Sequence, residues 1–266
     1  ASSAALRGEA LLKWRGERKR RRALQDQLQE LKGSIRVFCR VRPLAANEGS
    51  AAGLVPSTTD VVLTQPGRDG RRAFSFDYAF DSRSTQAKVF DEVEPVLESV
   101  LNGSNVCIFA YGQTGSGKTY TMDGDRTSDT QRGINPRALR YLFEVIAERE
   151  ELARAALKDA DLDAAAAAAA DVCEYEVTVS LLEIYNESLR DLLVEPTAAL
   201  PTDGRKLSSK GLQVQCVPGA AVSVPGLTAL AVDSADEVEA ALLSGGARRS
   251  VTATKMNAAS SRSHTI

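Results

Sequence analysis

A glycine-rich segment followed by lysine and threonine is the part of this sequence best suited to bind phosphate. Residues 112–119 read GQTGSGKT and match the pattern G-x-x-x-x-G-K-[ST] at every fixed position. In such a loop the glycines let successive backbone N–H groups point at phosphate oxygens, the lysine supplies a positive charge, and the threonine hydroxyl can ligate Mg²⁺. We therefore predict a phosphate-binding loop formed by Gly112, Gln113, Thr114, Gly115, Ser116, Gly117, Lys118 and Thr119.

The neighbouring sequence supplies the elements that such a loop requires. Val106–Tyr111 is an uninterrupted apolar run, which predicts a strand buried on both faces of a parallel sheet. A helix is expected to start at Lys118, so that its N-terminal dipole faces the phosphates. A chance match would not be expected to have both elements in place.

A second polar segment near the end of the sequence, residues 257–264, reads NAASSRSH. Taken alone it is a polar loop, and a flexible tail is the simpler interpretation. Beside a phosphate loop, its hydroxyls and arginine could complete a Mg²⁺ shell and sense a γ-phosphate. The candidate groups are the serine hydroxyls of this segment and the guanidinium of Arg262.

Composition excludes several classes of protein. The 266 residues carry a net charge of −2, 26% charged residues and 43% hydrophobic residues. With no apolar run of about 18 residues, a membrane span is not expected. No secretory signal is found at the N-terminus, and the initial Ala rather than Met suggests a fragment or a processed product. One histidine and four scattered cysteines argue against a metal cluster or a disulfide framework and are typical of a reducing compartment.

The pattern of the chain predicts an α/β domain preceded by a helix. Strands are expected at Ser34–Val41, Val61–Thr64, Ala73–Phe76 and Glu174–Tyr185, and helices at Ala87–Leu101, Pro136–Leu157 and after Ser234. Pro95 should kink its helix, and Gly245-Gly246 should end the last one. Strands that alternate with helices indicate a central, mostly parallel sheet flanked by helices.

The leader, residues 1–33, is basic and helical in pattern. Leu24, Leu28, Leu31 and Ile35 follow the 4-3-4 spacing of a coiled-coil seam, but the heptad lasts for two repeats only. A helix that docks on its own domain and a helix that dimerises therefore both remain open. The Arg18–Arg22 run could be a nuclear address, a contact to a polyanion, or a solvated face.

Together these segments resemble the motor domain of kinesins, the microtubule ATPases. The resemblance rests on FAYGQTGSGKTYTM (109–122) and NAASSRSH (257–264), with IRVFCRVRPL (35–44), FDYAFD (76–81), RGINPRAL (132–139) and SLLEIYNESLRDLL (180–193) in agreement. Myosin resembles this sequence less well, and a GTPase is disfavoured because no N/T-K-x-D segment occurs. The helix that leads into GSIRVFCRVRP resembles the neck of kinesin-14, the class with C-terminal motors that move toward microtubule minus ends.

The resemblance implies roles for individual residues. Arg40, Arg42 and Pro43 would line the adenine side of an ATP or ADP site, and Tyr120 would stack on the base. Ser261, in switch I, would join Thr119 in the Mg²⁺ shell. Ser260 and Asn257 would organise the attacking water and the γ-phosphate, and Arg262 would pair with an acidic partner.

The same resemblance implies a P-loop NTPase fold in which a neck (1–33) precedes a partial motor domain (34–266). None of the aspartates in the sequence has a glycine three residues later, although phosphate-loop enzymes use such a D-x-x-G segment to hold the magnesium water. We therefore expect the C-terminal part of the motor fold to be missing and residues 1–266 alone to be incomplete for turnover. Two functions remain open: an ATP-dependent microtubule motor represented by its front portion, or a nucleotide-binding or microtubule-interaction module that does not hydrolyse ATP.

Expectations on partners and location follow from the family. Microtubules are the implied partner, and a homodimer through the neck helix is a further one. Neither a membrane nor a nucleic acid is expected to bind. The implied location is the cytoplasm and its microtubule cytoskeleton, of which the spindle is one part.

Overall fold

The computed structural model describes residues 13, 16–17, 19–21, 23–24, 27–44, 53–54, 57–64, 71–158, 175–194, 212–219, 221–251 and 263–266. The chain divides into two compact units, Ala1–Cys173 and Glu174–Ile266. The phosphate-loop motif lies in the first unit, and the last strand, which follows the 257–262 segment, lies in the second. Among the described residues, no helix combines the length and the apolar character needed to cross a membrane.

The first unit contains two small sheets. Strand β1 (Phe38–Arg40) pairs in parallel with β5 (Tyr78–Phe80), and β2 (Gly53–Leu54), β3 (Asp60–Thr64) and β4 (Arg71–Ser75) form an antiparallel sheet in the order β2-β3-β4. The predicted strands near residues 61–64 and 73–76 are confirmed. Strand β1 is shorter than the predicted Ser34–Val41, because pairing with β5 spans only three residues.

Helices α1 (Gln86–Asp91), α2 (Glu94–Leu101), α3 (Lys118–Met122) and α4 (Ile134–Lys158) follow, with a 3-10 turn at Asp129–Gln131 before α4. The single kinked helix expected over residues 87–101 is instead two helices that are separated between Asp91 and Glu94. Pro95 lies in the first turn of α2. A proline is tolerated at that position because the first-turn N–H groups of a helix have no intrahelical acceptor.

One hydrophobic core holds β1, β5 and the helices α1, α2 and α4 together. Phe80 is 1% exposed, and its ring lies 4.5 Å from the ring of Tyr78 and 6.2 Å from that of Phe38, measured between centroids. The other buried members come from the helices and from the turn between α1 and α2: Val89, Phe90, Val93, Leu97 and Ile134. This core fixes the end of β1 relative to the start of α1, which is where the candidate site begins.

The segment before the phosphate loop differs from the prediction. Residues 104–112 belong to no strand or helix, and Phe109 and Tyr111 are 80% and 95% exposed. The prediction of a strand buried on both faces is therefore wrong for the described structure. The physical reason is that no described strand lies beside this segment to share its backbone hydrogen bonds and cover its side chains. Among the described strand pairs, β1–β5 is parallel and the others are antiparallel. The strand pairing described here therefore differs from the mostly parallel sheet that the sequence predicts.

The described part of the second unit consists of antiparallel strands and a helix. Strands β7 (Leu182–Tyr185), β8 (Ser188–Asp191) and β10 (Ser263–Thr265) pair in the order β10-β7-β8, and β6 (Thr178–Val179) pairs with β9 (Leu230–Ala231). The long strand predicted over residues 174–185 is thus divided into β6 and β7.

Helix α5 (Ala235–Val251) completes this unit. Its predicted capping contact is confirmed, since the Ser234 hydroxyl accepts from the Glu237 N–H at 3.3 Å. The predicted end at Gly245-Gly246 is wrong, because the helix continues through both residues. Gly245 serves packing: a Cβ there would lie 2.1 Å from Cδ2 of Leu181.

Every described residue from position 13 to 32 of the leader is helical. The Gln29 side chain donates to the carbonyl oxygen of Pro95 at 3.2 Å, which attaches this helix to α2. The predicted seam nevertheless faces solvent, with Leu24 56%, Leu28 47% and Leu31 86% exposed. The helix therefore contacts its own unit without burying its leucine stripe.

Candidate phosphate and base site

The phosphate-loop motif adopts a backbone that depends on glycine. Gly115 and Gly117 have φ angles of +80° and +95°, a region that L-residues with a Cβ enter only at a cost. Gly117 is also the residue that precedes α3, and no described side chain caps this helix end. The first N–H groups of α3 have no acceptor within the helix, so they are available to an anion.

Lys118 bends back over the loop that precedes it. Its Nζ donates to the carbonyl oxygens of Gly112 and Gln113, at 2.8 Å and 2.9 Å. The side chain is only half-buried, and Gln113, Thr114 and Gly115 are exposed. The positive charge of Lys118 thus sits at the mouth of the loop, where an incoming anion can reach it.

These groups fit a phosphate chain with Mg²⁺. The glycine backbone, the N–H groups of α3 and the Lys118 ammonium are all donors, which suits the oxygens of a polyphosphate. The exposed Thr119 lies in the first turn of α3 and offers a hydroxyl, a hard oxygen ligand of the kind that Mg²⁺ prefers.

An arginine and a tyrosine meet beside the loop. The Arg40 guanidinium lies 5.2 Å from the centroid of the Tyr120 ring, and its Nη1 donates to Oγ1 of Thr121 at 3.0 Å. Burial lowers the pKa of the Arg40 guanidinium, and the nearby Tyr120 acts in the opposite direction. Arg40 and Tyr120, two of the four residues that the resemblance assigns to the adenine side, are therefore in contact.

A glutamine that the sequence did not single out as a site residue is hydrogen-bonded to both Arg40 and Tyr120. Gln86 is 3% exposed; its Oε1 accepts from Nη1 of Arg40 at 2.8 Å, and its Nε2 donates to the carbonyl oxygen of Tyr120 at 2.7 Å. A polar residue at the start of an amphipathic helix is ordinary, so its sequence position carried no signal of this role. A weak hint was the predicted helix itself, which places a glutamine just before an apolar stripe.

The structure places the other predicted site residues only in part. Arg42 donates from Nη1 to the carbonyl oxygen of Pro43 at 3.3 Å, and how these two residues meet a base stays a prediction. Asn257, Ser260, Ser261 and Arg262 lie outside the described residues. The residue that follows them, Ser263, is 7% exposed and starts β10, which pairs with β7.

A model of the kinesin family, described as the kinesin motor domain, matches residues 40–266. This range includes the phosphate loop, Arg40, Gln86, Tyr120 and the 257–262 segment. It leaves out the leader helix.

Curated relatives point to one class of that family. The chain is 38% identical over 249 residues to the kinesin-like protein KIN-14Q of Oryza sativa subsp. japonica, which covers 91% of this chain and 23% of the relative. It is 39% identical over 250 residues to the kinesin-like protein KIN-14O of Arabidopsis thaliana, covering 91% of this chain and 19% of the relative. The resemblance to kinesin-14 is thereby confirmed, and the chain spans about a quarter or less of the length of these relatives.

A solved structure gives the same answer for the fold. The structure of a fast kinesin superimposes with a TM-score of 0.68 and 32% sequence identity, over 87% of this chain and 58% of that one. The α/β, P-loop NTPase-type fold predicted from the sequence is confirmed by this likeness.

Proposed function

Since this chain belongs to the kinesin family through its motor domain, we propose that it is the nucleotide-binding front portion of a microtubule motor that hydrolyses ATP. The observation that carries the proposal is the arrangement of the phosphate loop. Lys118 is held within 2.9 Å of two loop carbonyls, next to a helix start whose first N–H groups have no acceptor within the helix. A loop that brings these donors together, in a chain of this family, supports binding of the phosphates of ATP.

In this proposal the loop residues Gly112–Thr119 hold the phosphates, and Thr119 with Ser261 holds Mg²⁺. Bound Mg²⁺ supplies charge neutralisation at the β- and γ-phosphates. The glycines orient backbone N–H groups, and the half-buried Lys118 supplies a cation on the same side. Arg40, Arg42, Pro43 and Tyr120 form the adenine side.

The catalytic part of the proposal concerns the segment that contains Asn257, Ser260, Ser261 and Arg262. Ser260 and Asn257 orient the attacking water and the γ-phosphate, and Arg262 pairs with an acidic group. These assignments rest on the match of the kinesin family to residues 40–266, which includes the segment. In these assignments the phosphate loop binds ATP in its ground state, and the segment at 257–262 stabilises the transition state of hydrolysis.

The proposed partner is the acidic microtubule surface, and the proposed location is the microtubule cytoskeleton of the cytoplasm, the spindle included. Lys19, Arg20 and Arg21 are exposed on the leader helix, which supports a weak, salt-sensitive contact with such a surface. We divide the chain into a neck, residues 1–33, and a motor portion, residues 34–266. Movement toward the minus end is part of the proposal, because the leader helix resembles the neck of kinesin-14.

The leader helix is proposed to pair with that of a second copy. Its leucine stripe has coiled-coil spacing and remains exposed. The hydrogen bond from Gln29 to the carbonyl oxygen of Pro95 leaves these leucines uncovered. An apolar stripe left in water is stabilised when an identical stripe covers it.

One observation favours a second candidate, a module that binds nucleotide and microtubules without turnover. Residues 104–112 lead directly into the phosphate loop without a described strand partner, and Phe109 and Tyr111 are exposed. A loop held on one side only is less well oriented for transition-state stabilisation, which depends on preorganisation.

One preparation tests both candidates. The purified chain is titrated with a fluorescent ATP analogue in the presence of Mg²⁺, and steady-state phosphate release is then measured with and without microtubules. Binding with turnover that microtubules stimulate supports the motor. Binding without stimulated turnover is expected of both candidates for residues 1–266 alone, and the same assay on these residues joined to the C-terminal part of a kinesin motor domain then separates them. Absence of binding would overturn both.

A further inference from the structure

The amide of Gln86 connects three parts of the first unit. Its Oε1 accepts from Nη1 of Arg40, on β1, at 2.8 Å. Its Nε2 donates to the carbonyl oxygens of Tyr120 at 2.7 Å and Gln131 at 3.2 Å. Because two acceptors face one end of the amide and a cation faces the other, the orientation of the amide is determined by its neighbours.

Gln86 is itself held in place. It is the first residue of α1, its side chain is 3% exposed, and the preceding Thr85 caps the helix by accepting from the Lys88 N–H at 3.2 Å. Val89 and Phe90, on the same helix, are buried in the core with Phe80. The amide is thus a buried polar group whose oxygen and nitrogen both have hydrogen-bond partners.

Both walls of the proposed base site depend on this amide. Arg40 is positioned by Gln86, Thr121 and the carbonyl oxygen of Ser84, and its guanidinium lies 5.2 Å from the centre of the Tyr120 ring. The Tyr120 backbone bonds to Gln86, and its hydroxyl contacts the side chain of Gln131. The Tyr120 ring is 43% exposed, so one part of it is open to a ligand.

From these contacts we infer that Gln86 is a positioning residue: it fixes Arg40 and Tyr120 relative to each other and thereby sets the affinity of the site for the nucleotide base. The inference rests on the proposed nucleotide site. Arginine has many rotamers, and holding it in one before a ligand arrives lowers the entropy cost of binding. Gln86 lies behind Arg40 and Tyr120 and is not expected to touch the ligand.

The test separates the base from the phosphates. Wild type, Gln86→Met and Gln86→Ala are titrated with ATP and with inorganic tripolyphosphate, both with Mg²⁺, in competition with a fluorescent nucleotide. Gln86→Met keeps the volume of the side chain and removes its hydrogen bonds, so it remains informative if Gln86→Ala does not fold. We expect ATP to bind about tenfold more weakly to Gln86→Met than to wild type. Tripolyphosphate should bind to Gln86→Met with an affinity within about twofold of that for wild type.

Thr85→Ala is the matched control. It removes the cap of the same helix, one residue away, while leaving the amide of Gln86 in place, and it should keep ATP affinity within about twofold of wild type. Equal loss of ATP and tripolyphosphate in Gln86→Met, or loss in Thr85→Ala as well, would assign Gln86 a merely structural role and overturn the inference. Unchanged ATP affinity in Gln86→Met would overturn it too. If wild type binds neither ligand, the proposed function itself fails, and this inference with it.

Discussion

The ammonium nitrogen of Lys118 lies 2.8 Å from the carbonyl oxygen of Gly112, at the opposite end of the glycine-rich loop. A second bond of 2.9 Å, to the carbonyl of Gln113, holds it there. Lys118 therefore closes the loop on itself, and the charge that the proposed phosphates need is placed over the loop by the loop's own backbone. This double role makes Lys118 the most informative residue to change.

Lys118→Ala is expected to abolish measurable ATP binding. The phosphates lose a charge-assisted contact, which costs about 2–3 kcal/mol or more, and the loop loses two internal hydrogen bonds. Titration with a fluorescent ATP analogue measures the effect. Lys88→Ala, which removes an exposed lysine from α1, is the control and should bind like wild type. Equal affinities of wild type and Lys118→Ala would contradict the assignment of the loop.

In an intact motor that includes this chain, Ser261→Ala and Arg262→Ala are expected to spare ATP binding and to lower microtubule-stimulated hydrolysis on the order of 100-fold. The phosphate loop provides most ground-state contacts, whereas the segment at 257–262 is proposed to act on the transition state. The same titration and a phosphate-release assay, run in parallel on each variant, separate the two effects. A variant that loses binding and turnover to the same extent would show that the segment holds the ground state instead.

Gly124→Ala is expected to destabilise the first unit by about 2–4 kcal/mol. Gly124 has a φ of +72°, and a Cβ there would lie 2.1 Å from the carbonyl oxygen of Gln131. Gly33 also has a positive φ, +90°, but a Cβ there would meet its nearest neighbour at 3.8 Å. Gly33→Ala should therefore cost only the conformational part, about 1 kcal/mol. Thermal unfolding of both variants tests the difference, and equal losses would show that the close approach at Gly124 is relieved by small shifts.

Leu28→Glu is expected to convert a dimer into a monomer if the leader helix pairs as proposed, since a carboxylate would enter the apolar seam. Sedimentation velocity of wild type and variant at the same concentration measures this. Leu152→Glu is the matched control, because Leu152 is 48% exposed on α4 and Leu28 is 47% exposed. A monomeric wild type, or a Leu28→Glu variant that stays dimeric, would contradict the proposed pairing.

Protonation of Asp81 is expected to contribute to the loss of folding stability at acidic pH. The Ser84 hydroxyl, together with the N–H and guanidinium of Arg83, holds the pKa of this carboxyl below its usual range. A carboxyl with a lowered pKa in the folded state stabilises the fold above its unfolded pKa, near 4, and this contribution is lost as the pH falls through the folded value. Asp81→Asn should therefore show a smaller drop in unfolding temperature between pH 5 and pH 3 than wild type, and an unchanged drop would contradict this role.

The family, the α/β class and a glycine-rich turn followed by a helix at Lys118 could be predicted from the sequence because they depend on local patterns. GQTGSGKT needs its residues adjacent in the chain, and the capping contact between Ser234 and Glu237 spans a single helical turn. Short-range hydrogen bonds and backbone preferences act within such segments, so the residue types alone were sufficient.

Features that require distant segments were decided by the tertiary structure alone. Gln86 bonds to Arg40, Tyr120 and Gln131, which are 34 to 46 residues away, and nothing in its local sequence indicates those partners. Residues 106–111 have the apolar pattern of a buried strand, yet Phe109 and Tyr111 are exposed because burial requires neighbouring strands as well as apolar side chains. Residue types determine what a segment can do, and packing against distant segments determines which of those possibilities is realised.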